Sequence, residues 1–415
     1  VYYFYNSTHI PSRTQLLFTR ASNPVIPLQI DIGPQAIAGS TRLQGATLAE
    51  AGLGALLGGV FYLNRKETHS AMTYPERLLA NMQRGLILIR QHLKKIVDFA
   101  KKEKKIFSDL YSNFYQLKDV TDQGYVTFIT SETSMREVLI DATEISPTFS
   151  TNPIRRENEE YKKRAEFRAY LVGKETNHEA WKALLGRDPH TADIQDIETF
   201  LLACGVEGIN SYQRRPVGKG NFLIGVAKVN ENQFIPGNLL SLLAQAKGET
   251  GLLLTCRGQL IESQKRELED FDGVILILED VPHDEIGFAE TIVLKQTLNL
   301  ISNASMVLMN KVHGNQMIDV RASNRKLIDR CMRLIKTIWS EYQSALELTD
   351  KELYHYVAHV STIKKSYEEK GIYSPSVVKI ILAMFALEKT PEQFQEVIDF
   401  LKEKQERVDW IKQEV

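Results

Sequence analysis

Two hydrophobic patterns alternate along this chain. One is the continuously apolar run. Residues 222–227 (Phe-Leu-Ile-Gly-Val-Ala) and 274–278 (Val-Ile-Leu-Ile-Leu) have no polar face. Central parallel strands look like this when both sides are covered. Residues 125–130, 167–172 and 252–256 read as further strands. The other pattern is apolar recurrence at three- and four-residue steps, which predicts helices over 178–185, 193–204, 236–246 and 259–271. A polar turn at 131–136 leads into a short helix over 137–143, followed by a stiff turn at Pro147. Strands alternating with helices predict βαβ units on a parallel sheet, an α/β domain from Gly124 to about Tyr342.

The flanks differ from this middle. Residues 1–5 and 27–32 read as strands, the second ended by Gly33-Pro34. A Gly-Ser-Thr-Arg turn at 39–42 then opens a helix of small and apolar residues to about Leu63. A long helix follows over 74–117, with Leu79, Met82, Leu86, Ile89, Leu93 and Ile96 on one side and a run of lysines on the other. The lysine run fits a solvated face or an anion-binding patch. From Leu348 onward the pattern is helical. Ser374 and Thr390 sit at expected helix starts, each followed by proline at the first helical position. Val377, Ile380, Ile381, Met384 and Phe385 form one expected buried face, and Phe394, Val397, Ile398 and Leu401 the next.

Length and composition narrow the picture. At 415 residues the chain should hold two or three domains. With 51 Lys+Arg against 52 Asp+Glu, the net charge is -1. That balance gives no argument for nucleic acid or an anionic membrane as partner. Cys204, Cys256 and Cys331 are far apart and form neither a disulfide framework nor a metal cluster, which fits a reducing compartment such as the cytoplasm. The uncharged stretch 51–64 is short of a membrane span and carries four glycines. The opening Val1-Tyr2-Tyr3-Phe4-Tyr5 lacks the basic start of a signal peptide. It reads as a processed terminus or as a start inside a fold.

Several segments can carry chemistry. Ser40, Thr41 and Arg42 stand between a strand and a helix, where hydroxyls, backbone N–H groups and a guanidinium suit a phosphate or carboxylate. Thr133 and Ser134 stand at a similar junction, in a loop without glycine; a plain N-cap would look the same at either place. Asp141 and Glu144, near a helix exit, offer a general base if partly desolvated. Asp188, in Gly-Arg-Asp-Pro, is a second candidate acid. Lys311, Asn315 and Asp319 at four-residue steps predict one polar helical face, a site or an ordinary solvated stripe. His355 and His359 lack the glutamate of a zinc-protease helix and read as helix-surface or core residues. No metal or cofactor is expected.

Taken together, these segments resemble the sugar isomerase (SIS) domains of N-acetylmuramic acid 6-phosphate etherases and of the glucokinase regulatory protein. The matching segments are Gly33-Pro34-Gln35 with Gly39-Ser40-Thr41-Arg42-Leu43, then Thr133-Ser134-Met135-Arg136, Asp141-Ala142-Thr143-Glu144 and Pro147-Thr148-Phe149. The strongest is 299–324, which resembles the helix ending an SIS domain, with Asn310 where the family has glycine before Lys311. The resemblance implies an SIS-type parallel sheet flanked by helices. Residues 1–118 would be the C-terminal part of a first SIS domain, 119–345 a second, and 346–415 a helical lid. It implies a hexose phosphate or N-acetylmuramic acid 6-phosphate bound where SIS domains meet. Ser40, Thr41 and Arg42 would line that site, Lys311 would reach over to the sugar, and Thr133 and Ser134 would remain of the second domain's own loop. Glu144 would stand as the base, with Asp188 about where the etherases carry a second acid. Two functions are implied: a regulator that senses a hexose phosphate and acts on a partner such as a sugar kinase, or an etherase that releases lactate.

Overall fold

The computed structural model describes residues 2–5, 26–29, five helical positions between Glu76 and Lys94, 125–149, 166–189, 204–205, 222–230, 235–246, 249–281, 287–308, 310–342, 348–370 and 374–404, with single positions at 372, 408, 409 and 411. The chain divides into two compact units, Val1–Phe99 with Pro282–Asn299, and Ala100–Val281 with Leu300–Val415.

In the first unit β1 (Tyr2–Tyr5) pairs in parallel with β2 (Ile26–Gln29), so both expected strands form. Glu76, Ala80, Gln83, Ile87 and Lys94 are helical, as the 74–117 pattern predicts, and the Lys94 side chain is exposed. Residues 39–42, the small-residue helix and the other lysines of the run lie outside the described residues.

The second unit is built on five parallel strands: β3 (Tyr125–Thr130), β4 (Glu166–Leu171), β5 (Phe222–Val229), β6 (Glu249–Cys256) and β7 (Val274–Leu278). Their order is β4-β3-β5-β6-β7. β5 is buried almost end to end, the environment its unbroken apolar run calls for. Helices α1 (Met135–Phe149), α2 (Asn177–Leu185), α3 (Gly237–Ala244) and α4 (Glu262–Glu269) connect the strands. The predicted 193–204 helix falls largely outside the described residues.

α1 is much longer than the sequence pattern indicates. It starts at Met135, inside the expected turn, and runs through Pro147 to Phe149. The reason is a buried stripe, Met135, Val138, Ala142, Ile145 and Phe149, at alternating three- and four-residue steps. Burying each large apolar member contributes about 1.5–3 kcal/mol, enough to carry the helix past a local turn signal.

α5 (Phe288–Leu308) follows the sheet, and the boundary between the two units falls within it. Then come a short hairpin, β8 (Val312–His313) with β9 (Gln316–Met317), and α6 (Arg325–Tyr342). α7 (Asp350–Glu369) and α8 (Val377–Ala386) pack against α6, and α9 (Phe394–Glu403) against α8. The expected apolar faces are buried, except that Phe385 is half-buried beside Trp339 and Tyr356, with ring centroids 5.7 and 5.2 Å away. The start of α8 is displaced from expectation. Ser376, not Ser374, caps it, accepting from Lys379 N. The Ser374 hydroxyl and carbonyl instead receive the Lys364 ammonium at 2.9 and 2.6 Å. Thr390 does precede a helical turn, Pro391–Gln393, which leads into α9. Among the described residues no helix is long and apolar enough to cross a membrane.

Among the described glycines, Gly205 marks the tightest backbone approach. A Cβ there would lie 2.4 Å from the Thr176 carbonyl carbon, and backbone cannot swing aside as a side chain can. Gly205→Ala should therefore lower the unfolding free energy by about 1–3 kcal/mol. Gly237→Ala, where nothing lies within 4 Å, should change it by less than about 1 kcal/mol. Urea midpoints of the two variants check the contrast.

Candidate functional site

β3 lies between β4 and β5, so the chain runs outward from β3 to β4 and then crosses back to β5 on the other side of β3. Open α/β sheets bind ligands outside the carboxyl ends of strands at such a reversal. The loop there is Ser131 to Ser134. The Ser131 backbone N–H donates to Val226 O at 3.2 Å and Ser134 N to Ser131 O at 3.1 Å. The Ser131 hydroxyl sits 3.1 Å from that of Thr133 and 3.3 Å from that of Ser134. Thr133 is exposed and Ser134 buried. Thus the two hydroxyls named from the sequence are together, at the start of α1.

The first turns of α1 add charge. Glu137 is buried, and its Oε1 accepts from Lys228 Nζ at 2.7 Å. Lys228 comes from the carboxyl end of β5, the neighbouring strand. Arg136 Nη2 donates to Leu184 O at 3.1 Å, tying α1 to α2. Asp141 is fully buried and accepts from the Ser302 hydroxyl of α5 at 3.1 Å. Glu144 follows one turn later and is half-buried. The rise from Ser134 to Glu144 is about 15 Å along the helix axis. The expected base and the expected hydroxyls are therefore nearly three turns apart along one helix.

Asp188 lies on the surface after α2. Its carboxylate pairs with Lys182 Nζ at 2.8 Å and His178 Nε2 at 3.5 Å. The Lys182 hydrogen bond, more than His178, holds the carboxyl below the usual aspartate range. A depressed pKa means the stabilisation is present at neutral pH and lost as pH falls through the folded value. At neutral pH Asp188 is a carboxylate and has no proton to donate.

The region around Lys311 corrects the sequence pattern. Lys311, Asn315 and Asp319 do not share a helical face. α5 ends at Leu308 and the chain turns into the β8–β9 hairpin, with Asn315 exposed at its tip. Asn310 has φ 57°, and Asn310 N and Lys311 N donate to Val307 O and Met306 O. This is a left-handed helix stop of the Schellman type, which asparagine tolerates next best after glycine. Asn310 in a position that favours glycine was the available signal. The hairpin brings Lys311 and Asp319 back together as a buried ion pair. Lys311 Nζ also donates to Phe149 O, the last carbonyl of α1, at 3.0 Å. A cation there complements the negative end of the helix dipole.

Glu137, Lys228 and Ser302 were missed from the sequence. Glu137 and Lys228 are 91 positions apart, which no local pattern relates. Lys228 is the one charged residue of β5 and lies just past the end of the expected 222–227 strand. Ser40, Thr41 and Arg42 lie outside the described residues. His355 and His359 are exposed on α7, and among the described residues no group of three His, Cys, Asp or Glu could hold a metal.

No protein-family model matches the chain. It does match an N-acetylmuramic acid 6-phosphate etherase of Parasynechococcus marenigrum, 28% identical over 232 residues. That alignment covers 55% of this chain and 63% of the relative. An etherase of Bacillus licheniformis is 26% identical over 225 residues, 54% of this chain and 63% of the relative. One from Staphylococcus aureus is 26% identical over 230 residues, 54% and 65%. The chain is a distant homologue of the N-acetylmuramic acid 6-phosphate etherases over about half its length. It spans 63–65% of the length of these etherases. The five-stranded parallel sheet, its order and the helices that follow are SIS-like.

Lys311→Met should strand the buried Asp319 carboxylate and cost about 3–5 kcal/mol. The double variant Lys311→Met/Asp319→Leu should recover a large part of that loss. Denaturant unfolding of the four-member cycle measures both.

Proposed function

We propose that this chain is part of a phosphosugar-binding protein of the SIS type. The etherase homology carries the reading. Of the two finer functions, an etherase-type lyase is the one its relatives support. In that reaction a carboxylate takes the proton at C2 of N-acetylmuramic acid 6-phosphate, and lactate leaves C3 as an acid assists. Water then adds back. Glu144 is the proposed base: a half-buried carboxylate on a helix fixed at Arg136, Asp141 and Phe149 O. Ser40, Thr41 and Arg42 are the proposed anion element. Lys311 is the proposed second contact. Its ammonium gives two hydrogens to Phe149 O and Asp319, which leaves a third for a ligand oxygen.

Specific observations favour a second reading, a regulator that binds a hexose phosphate and acts on a sugar kinase. Asp188 is exposed and ionised, a poor proton donor. The Ser131–Ser134 loop has no glycine to let a phosphate approach the backbone.

One experiment separates them. D-lactate release from N-acetylmuramic acid 6-phosphate is measured with the full protein, alongside thermal unfolding with that sugar and with fructose phosphates. The etherase reading expects turnover that falls by about 100-fold or more in Glu144→Gln. The regulator reading expects no lactate, with a stabilisation of about 2.7 kcal/mol once a fructose phosphate reaches a hundred times its dissociation constant. No turnover and no stabilisation by any phosphosugar would overturn the proposal as a whole.

A further inference from the structure

Anions settle at helix N-termini beside strand ends because unpaired N–H groups and the helix dipole converge there. The start of α1, at the reversal point of the sheet, is such a place. It also presents hydroxyls from Ser131, Thr133 and Ser134. What distinguishes it is that both charges are already present. Lys228 brings an ammonium from the end of β5, and Glu137, in the first turn of α1, meets it with a carboxylate at 2.7 Å.

The pair is sequestered. The Lys228 side chain is 12% exposed and the Glu137 side chain 5%. Ser134-Met135-Arg136-Glu137 has the spacing of a capping box, in which the acid would fold back onto the cap residue. Here Glu137 Oε1 engages Lys228 on the adjacent strand instead. The Ser134 hydroxyl turns to Ser131. Removing two charges from water is unfavourable unless each finds its opposite at close range, and this pair does so between the first turn of α1 and the carboxyl end of β5.

We propose that the anion position at the reversal point of this sheet is filled from within by the Glu137 carboxylate, held by Lys228, so that the second unit does not take up a phosphate there. Any phosphosugar site of the protein then lies elsewhere. This goes beyond the phosphosugar reading and is tested apart from it. Removing the Glu137 charge should let a phosphate take the carboxylate's place beside Lys228, the hydroxyls and the helix start.

The test titrates orthophosphate into the full chain at constant ionic strength and follows the backbone amide resonances of residues 131–138 and 228–230. In the unsubstituted chain these should not move. In Glu137→Gln, which keeps the side-chain shape, they should move saturably, with affinity at least about tenfold above any in the unsubstituted chain. Glu137→Ala, which opens the space further, should do the same. Glu137→Gln/Lys228→Met should lose the gain. Saturable movement in the unsubstituted chain overturns the proposal, as does no movement in whichever of Glu137→Gln and Glu137→Ala folds. Phosphosugar stabilisation of the unsubstituted chain, the measure of the preceding reading, is unaffected by either result.

Discussion

One buried ion pair organises the second unit. Lys311 and Asp319 face each other at the base of the β8–β9 hairpin, and the Lys311 ammonium also closes the end of α1 at Phe149 O. The residue before Asp319 joins a further element, since the Ser376 hydroxyl that caps α8 donates to Ile318 O at 2.8 Å. Ile318 N donates in turn to Lys311 O at 3.2 Å. A few buried polar bonds thus tie together the helix that carries Glu144, the hairpin and the C-terminal helices. Such a pair is a poor source of net stability, because desolvation offsets most of its attraction. Its value is positional: once buried, neither partner can leave without stranding the other.

The same logic runs along α1. The helix is fixed near its start by Arg136 on Leu184 O, in its middle by Ser302 on Asp141, and at its end by Lys311. Its apolar stripe sets which face is buried. These polar bonds pin it to its neighbours at three points along its length. A half-buried carboxylate between two such anchors has a defined direction, and general-base chemistry requires that.

Much of the fold was legible because it depends on local patterns. Unbroken apolar runs gave β5 and β7, and three- and four-residue steps gave α3, α4, α8 and α9 within a few residues. The misreadings have physical causes. The α1 boundaries were misjudged because Pro147 and the hydroxyl-rich loop are local turn signals, while the buried stripe from Met135 to Phe149 is a tertiary fact. The Lys311–Asp319 spacing fits a helix as well as a hairpin, and only the left-handed Asn310 separates the two. The candidate site was legible as residue types rather than as partners. Thr133 and Ser134 are neighbours in the chain and stand together before α1, but Glu137 and Lys228 meet only because β3 and β5 are neighbours in the sheet.

Native-state hydrogen exchange on the full chain tests most directly whether the buried polar bonds make one body of these parts. If they do, the amides at the end of α1, Ile318 N in the hairpin and the amides of α8 open together, with one free energy and one denaturant dependence. If α8 exchanges through a separate, lower-energy opening while the end of α1 stays protected, the Lys311–Asp319 junction is not what holds them, and the account is wrong.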